Sequence, residues 1–473
     1  MEDFSKIALT EASKLGAGYA DVRIDSKKTE RFRLDNDSLT SIDIRSETGA
    51  GIRVLQSGSW GFYATNDLTR KGLKKAVAEA FSSARRAAKT LKKPARLAPT
   101  KICQVRVAVR VQKRPEEFPI EERVRFARDC AKTMREMSDR IRQASIEMSV
   151  DETSKWFAST EGARIQQDHI TCIANFSAVA RSEGLTESVS QTEGGTGGLE
   201  RILDSDPLSI SRELGKKAAE LLSASTPPDE KLPVVMDPDY LSLVVHEIIG
   251  HPSEADRVLG REAAWAGVTW WRGMLGQRIG SEILNASDKS TVEGTLGYYR
   301  YDDEGVEAEE KVIFKNGVLT SHMQSRETAT EFGAKPNGGM RALSYRFFPL
   351  VRMSNTFIKP GNHSFQEIVE GIDRGIYIVG SKVPAIDNRR YNWQISGQWA
   401  YMIEKGEVTH LLRDPTLMGV SPEFFKSISA VGKDLKIRPR PGCAKGDPVQ
   451  SIFVGNGGPH IRAIAQVLPT KGA

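Results

Sequence analysis

The stretch DPDYLSLVVHEIIGH, residues 237–251, combines the start of a helix with a group of possible metal ligands. Asp237 and Pro238 are typical of a helix N-terminus, because a carboxylate can accept hydrogen bonds from the first free N–H groups and proline suits the first helical position. The apolar residues that follow recur at helical spacing. They predict one buried helix face, formed by Leu241, Val244, Val245 and Ile248.

Two histidines with a glutamate between them, His246, Glu247 and His251, are typical of a hydrolytic zinc site, in which imidazoles hold the ion beside a carboxylate base. Their spacing of five residues would turn the second ring by about 140° from the first on an ideal α-helix. An unbroken helix could not chelate an ion with both rings. The sequence therefore predicts that the helix ends or bulges at Gly250, and that Pro252 moves His251 out of the α-conformation.

A catalytic zinc ion normally has three protein ligands and one water, so a third ligand must come from elsewhere in the chain. Cys443 lies in the glycine-rich stretch PGCAKG (441–446), which predicts a loop with an exposed thiol, and the nearby Lys445 favours the thiolate. Carboxylates such as Glu254 or Asp256 are chemically acceptable alternatives. The residues alone leave the choice between this thiolate and these acids open.

Composition indicates a soluble intracellular protein. The chain has 473 residues, of which 39% are hydrophobic, and can bury two substantial cores. No apolar run approaches the ~18 residues that cross a bilayer, and the N-terminal stretch is typical of an amphipathic helix rather than a signal peptide. We therefore expect a cytoplasmic protein with no membrane contact. A reducing compartment also suits its cysteines, of which three are expected to be structural: Cys103, Cys130 and Cys172.

The charge pattern does not favour nucleic acid as a partner. The formal net charge is only +6 over 473 residues. One basic run lies between residues 85 and 101, around two prolines, and it is typical of a solvated helix end followed by a linker.

The N-terminal half, residues 1–224, is predicted to be an α+β domain in which antiparallel strands alternate with helices. Short alternating strands reach about residue 64, with hairpin turns at 35–37 and 57–58, and the basic linker marks a possible sub-boundary near 94–104. Periodic apolar residues predict the following helices: 2–15, 67–90, 119–137 and 207–223.

The C-terminal half, residues 229–473, is predicted to be a β-rich metal-binding domain. A segment rich in proline and acidic residues precedes it and is the best domain boundary in the chain. The motif helix comes first, and the rest is rich in Val, Ile, Tyr, Phe and Gly, with one further short helix near 364–374. This pattern predicts a mostly antiparallel barrel or sandwich that carries the metal-site helix.

Six longer stretches carry a resemblance to a known family: HEIIGHPSEADRVLGREA (246–263), YDDEGVEAEEKVIFKNGVLTSHMQ (301–324), NGGMRALSYRFFPLVRMSNTFIKPG (337–361), GIYIVGS (375–381), VGKDLKIRPRPGCAKGDPVQSIFVGNGGPHIR (431–462) and ADVRIDSKKTERFRLDNDSLTSIDIRSETGAGIRV (20–54). They resemble the TldD/PmbA metalloproteases, also called modulators of DNA gyrase. The resemblance covers essentially the whole chain.

In the TldD branch of that family, a His-Glu-x-x-x-His motif and a cysteine near the C-terminus bind zinc, and the motif glutamate is catalytic. The resemblance therefore implies one zinc ion per chain, held by His246, His251 and Cys443, with Glu247 as the catalytic base. The PmbA branch lacks the motif, so the chain resembles the active branch. The chain departs from the family pattern at Pro252 and in a longer loop after the cysteine.

The resemblance also implies a zinc-dependent metalloprotease that cleaves unfolded or flexible peptides, as a homodimer or as a heterodimer with a PmbA/TldE-like sibling. A thiolate ligand would weaken the Lewis acid, which predicts a slow enzyme. Two alternatives are a zinc-stabilised regulatory protein that acts on a partner such as a nucleic-acid enzyme, and a zinc amidase for small molecules. The oxyanion would need a further donor, for which the sequence offers His322, Arg341, Tyr345 and Arg352.

Overall fold

The computed structural model describes residues 1–262 and 268–470. Its N-terminal part contains one seven-stranded sheet and the helices that pack on it. The helices are α1 (Glu2–Lys14), α2 (Arg70–Ala88), α3 (Ile120–Arg135), α4 (Glu200–Leu203) and α5 (Pro207–Leu221). The strands are β1 (Tyr19–Asp35), β2 (Ser38–Gln56), β3 (Ser59–Thr65), β4 (Gln104–Ala108), β5 (Ile141–Ser159), β6 (Arg164–Ser182) and β7 (Leu185–Thr196).

The sheet has the order β3-β2-β1-β5-β6-β4, and β7 also pairs with β6. All pairs are antiparallel except β4 with β6. Both predicted hairpin turns are confirmed. Strand β1 ends at Asp35 and β2 ends at Gln56, and in each case two residues connect the strand to the next one. The prediction of short strands is wrong: β1 has 17 residues and β2 has 19. In the first half of β2, residues 38–46 pair with β1 but are exposed. Burial therefore does not impose an alternating apolar pattern there, and the sequence does not show the full length of the strand.

Alternation along β1 separates the two faces of the sheet. Val22 and Ile24 are completely buried beneath α1 and α2, as the period of two requires. The alternate residues Asp21 and Arg23 are equally buried, but they face the C-terminal half, where the Arg23 guanidinium donates to the Phe347 carbonyl at 2.6 Å. The sheet therefore has a helix-covered apolar face and a polar face that contacts the rest of the molecule.

The C-terminal part contains short helices and three further sheets, of which one has only two strands. The helices are α6 (Pro238–Val245), α7 (Ala255–Val258), α8 (Arg326–Phe332), α9 (Phe365–Glu370) and α10 (Ser421–Ser427). The strands are β8 (Glu230–Met236), β9 (Ala286–Asp288), β10 (Lys311–Lys315), β11 (Val318–Leu319), β12 (Met340–Arg341), β13 (Leu350–Val351), β14 (Asn355–Ile358), β15 (Arg374–Ile386), β16 (Asn392–Glu404), β17 (Glu407–Arg413), β18 (Pro415–Val420), β19 (Ala430–Val431), β20 (Lys436–Lys445), β21 (Gln450–Gly458) and β22 (Ile461–Pro469).

Five of these strands form a closed barrel. Its order is β15-β8-β22-β18-β16, and β16 pairs again with β15 to complete the ring. Only the pair of β8 and β15 is parallel. Of the predicted alternatives, barrel or sandwich, the structure thus contains a barrel. A second sheet, β11-β10-β9-β14-β21-β20, lies beside it and is antiparallel except between β14 and β21, and the third sheet is the two-stranded pair of β12 and β13.

Helix α6 packs between the barrel and the second sheet, in contact with β15, β20 and β21. The predicted cap is confirmed: the Asp237 carboxylate accepts from the Tyr240 backbone N–H at 2.7 Å, and it also accepts from the Gly380 N–H of β15 at 3.0 Å. The helix therefore begins at a fixed point of the barrel wall, and its C-terminal end is buried between the barrel and the second sheet. Within the described parts of the chain, no helix has the length and apolar character needed to cross a bilayer.

Candidate metal centre

The two motif histidines are brought together by a wide helical turn. Directly after α6, residues His246–Gly250 form a π-helical turn, and the His251 backbone N–H donates to the His246 carbonyl five residues earlier. This i→i+5 hydrogen bond adds one residue to the turn, so that the second histidine lies on the same helix face as the first. The ring centroids are 4.8 Å apart. The predicted bulge is confirmed.

The predicted role of Pro252 is wrong. His251 keeps helical dihedral angles, with φ −61° and ψ −41°, although a proline follows it. The chain continues as a 3₁₀ turn over His251–Ser253 instead of breaking. The realignment of the second ring thus comes from the extra residue between the ligands and not from a change of conformation at His251.

Cys443 joins the two histidines from strand β20, which packs against α6. Its Sγ lies 3.8 Å from His251 Nε2, and one ligand atom each from His246, His251 and Cys443 lie within 4.8 Å of one another. The predicted exposed loop is wrong, because Cys443 is completely buried in strand β20. The ladder with β21 shifts register between Arg440 and Cys443, and such a bulge redirects a side chain, here toward α6.

The alternative acidic ligands serve other partners. The His251 Nδ1 atom lies 3.1 Å from Glu254 Oε2, and Asp256 accepts from Lys445 Nζ at 2.7 Å. The His246 Nδ1 atom lies 2.8 Å from Asn456 Oδ1. An oxygen acceptor at Nδ1 fixes the proton there and directs Nε2 toward a metal.

The donor set fits zinc. Two imidazole nitrogens and one thiolate are ligands that zinc accepts, and ligands at ~2.0–2.3 Å with tetrahedral angles lie about 3.5 Å from each other. The 3.8 Å separation of Cys443 Sγ and His251 Nε2 is close to this value. Zinc would therefore need only small side-chain movements to bind.

Charged neighbours hold the pKa of Cys443 well below that of an ordinary thiol. Burial alone would raise this pKa, but Arg352 and the two motif histidines reverse the effect. Burial drives the pKa of His251 well below its usual value, whereas the Cys443 thiolate raises that of His246 against burial. A metal ion at this place would stabilise the thiolate in the same sense as these positive charges.

Glu247 is directed to a residue that the sequence analysis did not identify. The Arg390 guanidinium, in the turn between β15 and β16, donates to the Glu247 carboxylate. Arg390 lies 143 residues from Glu247, so no local pattern could have indicated the contact. Asn456 was also missed as a partner of the site, although it lies in one of the family-like stretches.

Two of the four candidate oxyanion donors donate to backbone carbonyls. Arg341 donates to the carbonyls of Met353 at 2.7 Å and Phe453 at 2.8 Å. Arg352 donates to the Cys443 carbonyl, and to the Gln450 carbonyl at 3.1 Å. The other two candidates are buried against other elements: His322 packs on Phe332, and Tyr345 lies over Gly49 and Gly51 of the N-terminal sheet.

The closed barrel and the buried group of two histidines and one cysteine define an α+β protein with a single candidate metal site among its described residues. Family models confirm the resemblance. The PmbA/TldA metallopeptidase domain 1 matches residues 20–84, the central domain matches residues 113–225 and the C-terminal domain matches residues 229–466. The chain belongs to the PmbA/TldD family.

Similar proteins extend over nearly the whole chain. A metalloprotease of Methanocaldococcus jannaschii is 34% identical over 95% of this chain and 96% of its own length. A protein of Saccharolobus solfataricus named a zinc metalloprotease TldD homolog is 29% identical over 96% of this chain and 97% of its own length. The solved structure of a Thermotoga maritima protein described as a modulator of a DNA gyrase has the same fold, with a TM-score of 0.81, 21% identity and coverage of 99% and 100%.

Proposed function

We propose that the protein is a zinc metallopeptidase in which Glu247 is the base. The observation that carries this proposal is the buried group of His246, His251 and Cys443, with Glu247 next to the first ligand in the chain. The names of the relatives from Methanocaldococcus jannaschii and Saccharolobus solfataricus support the same reaction class.

Each residue would have a distinct task in peptide hydrolysis. His246 and His251 would hold the ion through Nε2, and Cys443 through Sγ. When bound, zinc supplies an activated water at neutral pH and a Lewis acid for the scissile carbonyl. Glu247 would accept the proton of the attacking water and later pass it to the nitrogen of the leaving amine. The C–N bond then breaks and releases a neutral amine.

Three protein ligands favour catalysis over a purely structural zinc site, which normally has four. Among the residues that the structure describes, the group contains two histidines and one cysteine. The neighbouring acids, Glu254 and Asp256, are held by a histidine and a lysine instead. The remaining position is thus available to water, which supports a peptidase rather than a zinc-stabilised regulatory protein.

We propose unfolded or flexible peptides as substrates. A cavity of about 160 Å³ lies between the N-terminal sheet and the C-terminal half, and Lys155, Tyr299 and Phe453 are among its lining residues. Its lining among the described residues does not include His246, Glu247, His251 or Cys443, but Phe453 follows Ile452, the residue that pairs with Cys443. A cavity of this volume accepts a side chain of an extended peptide, but not a folded domain.

We also propose that the protein works as a dimer, either with itself or with a PmbA/TldE-like sibling. Among the strands that the structure describes, β3 covers only residues 50–56 of β2, and the outer half of β2 has no partner on that side. Ile42 and Ile44 on this half are 51% and 58% exposed. Exposed apolar residues on a free strand edge favour pairing with another chain.

Sedimentation of the purified protein tests the dimer. We expect a double variant, Ile42→Glu with Ile44→Glu, to shift the protein toward the monomer. Leu208→Glu is the matched control, because Leu208 is 42% exposed on α5. A wild-type protein that remains monomeric alone and with a sibling chain would contradict this part of the proposal.

Zinc content and cleavage of an unfolded polypeptide test the main proposal. We expect about one zinc per chain in the wild type and in Glu247→Gln, loss of zinc in Cys443→Ala, and no cleavage by either variant. Cys130→Ala is the control, because this buried thiol lies in the core of the N-terminal half, and it should retain zinc and activity. A zinc-loaded Glu247→Gln that cleaves like the wild type would refute the role of the base.

A further inference from the structure

Arg390 brings a nearly buried positive charge to the metal centre. Its side chain is 15% exposed, and its guanidinium donates to the carboxylate of Glu247. Its Nε atom is buried and has no hydrogen-bond partner among the described residues. Removing an arginine from water is unfavourable unless its N–H groups are satisfied, so an unused donor at this place needs an explanation.

The turn that carries Arg390 is firmly held. The Arg390 backbone N–H donates to the Asp387 carbonyl at 3.0 Å, and the Ser421 hydroxyl donates to the Arg390 carbonyl at 2.8 Å. The Asp387 carboxylate accepts from the backbone N–H groups of Tyr391 at 2.9 Å and Asn392 at 2.8 Å. Arg390 itself has φ +63°, a left-handed conformation that costs energy for a residue with a side chain.

The charge of Arg390 acts on the whole centre and not only on Glu247. Burial lowers the pKa of Arg390, and the nearby carboxylates of Glu247 and Glu254 and the Cys443 thiolate act against this effect. The guanidinium therefore lies within electrostatic reach of both the base and the metal ligands.

We propose that Arg390 is a catalytic residue that stabilises the oxyanion formed during peptide hydrolysis. This inference rests on the proposed function. It deepens that function by assigning an oxyanion donor beside the base Glu247; of the candidates from the sequence, Arg341 and Arg352 donate to backbone carbonyls, His322 packs on Phe332, and Tyr345 lies over Gly49 and Gly51.

During the attack of water, negative charge moves from Glu247 to the substrate. In the resting centre, the negative charge is on the Glu247 carboxylate, and Arg390 neutralises it. When the water attacks, its proton moves to Glu247, its oxygen bonds to the carbonyl carbon, and the π-electron pair of the carbonyl moves to the carbonyl oxygen. Glu247 is then neutral, and the negative charge is on the substrate. A cation fixed beside both the Glu247 carboxylate and the carbonyl oxygen loses its attraction to the first as the second becomes negative. In this way a preorganised donor favours the transition state.

Two variants and one control test the assignment on the zinc-loaded, full-length protein. Arg390→Gln removes the charge, and Arg390→Lys retains a charge without the planar donors. Arg389→Gln is the matched control, because Arg389 lies in the same turn but is exposed. The measurements are zinc content, kcat and KM on a peptide, and the affinity for a peptidyl phosphinate of the same sequence, a stable tetrahedral anion, by calorimetry.

For Arg390→Gln we expect kcat and phosphinate affinity to fall about 100- to 1000-fold, the effect of losing one oxyanion donor. KM should stay within about threefold, and zinc should remain near one per chain. Arg390→Lys should recover part of the loss, and it carries the test alone if Arg390→Gln does not fold. Arg389→Gln should match the wild type.

A phosphinate affinity and a kcat within about threefold of wild type in Arg390→Gln would overturn the inference. Loss of zinc in parallel with activity would also overturn it, because the role would then be structural. If the zinc-loaded wild type neither cleaves peptides nor binds the phosphinate, the proposed function itself fails, and this inference fails with it. These results are distinguishable because the wild type is measured first.

Discussion

The junction between the two halves of the protein and the metal centre both bury charged groups, but they arrange them in opposite ways. At the junction, Arg53 is 1% exposed and donates to Asp21 at 2.6 Å and to Glu304 at 3.2 Å. Burial would lower the pKa of Arg53, but the two carboxylates raise it above the ordinary value. The group of Arg53, Asp21 and Glu304 thus keeps its charges and satisfies them internally.

The metal centre has no such internal balance. His246, His251 and Cys443 turn their ligand atoms toward one another, and electron pairs that face each other repel unless a proton or a cation lies between them. Their outer atoms are satisfied by Asn456, Glu254 and other residues. The paired charges of the Arg53 group therefore serve the structure, whereas the converging ligand atoms of the metal centre indicate a site for a cation.

The largest expected change in stability comes from breaking the junction. Arg53→Met would leave Asp21 and Glu304 buried without their shared cation, so we expect the free energy of unfolding to fall by about 3–5 kcal/mol. Denaturant unfolding measures this loss. Zinc content should not change, because the junction does not supply a ligand. If Arg53→Met unfolds at the wild-type denaturant concentration, the pairing is not structural.

Removal of zinc should lower the free energy of unfolding, and this effect should depend on the metal centre alone. At a free zinc concentration 100 times the Kd, binding stabilises the wild type by about 2.7 kcal/mol, and a chelator should abolish this gain. Thermal unfolding with and without zinc measures the difference. Cys443→Ala should show almost no response to zinc, whereas Arg53→Met should respond like the wild type. An equal zinc response in Cys443→Ala would show that the ion binds at another place.

A smaller effect is expected from the residues that orient the ligands. Asn456→Ala removes the oxygen acceptor 2.8 Å from His246 Nδ1, so we expect zinc affinity to fall by roughly 10- to 100-fold. Competition with a fluorescent chelator measures the affinity. The unfolding free energy of the zinc-free protein should change much less. An unchanged affinity would mean that the ring of His246 is oriented by packing alone.

His322 provides a third kind of buried group, which has no ionic partner. Burial lowers its pKa to about 4, from the usual value near 6.5. The unfolded state therefore binds more protons between pH 6.5 and 4, so stability is complete above pH 6.5 and is lost as the pH falls. We expect this residue to account for roughly 1–2 kcal/mol of the loss between pH 7.5 and 5. His322→Phe should flatten the pH dependence of urea unfolding by this amount, and a slope equal to that of the wild type would contradict the assignment.

Local signals predicted the parts of the fold that depend on neighbouring residues. The Asp237 cap, the two hairpin turns and the main helices lie within a few residues of their expected positions. The bulge between His246 and His251 was also predictable from their spacing, because a regular helix could not bring both rings to one metal ion. The resemblance pointed to Cys443 where the residues alone left an acid equally acceptable.

What the sequence did not reveal depends on contacts between distant residues. The burial of Cys443 results from a register shift against β21, and its glycine-rich surroundings by themselves resemble an exposed loop. Arg390 meets Glu247 only because the barrel places the turn after β15 above the end of α6. The partners of the candidate oxyanion donors Arg341 and Arg352 are also backbone carbonyls distant in the chain, which a sequence does not display.

The wide turn at His246–Gly250 also lets the chain contain one more residue without a change in the direction of the helix. A π-helical turn contains one residue more than an α-turn, so a helix that acquires it continues along its former path with the same faces. Deleting Ile249 would give a spacing of four residues, at which an ordinary α-turn already aligns two histidines. Two motif lengths can therefore produce one chelate, and a single-residue insertion can survive in a buried helix without displacing the strands around it.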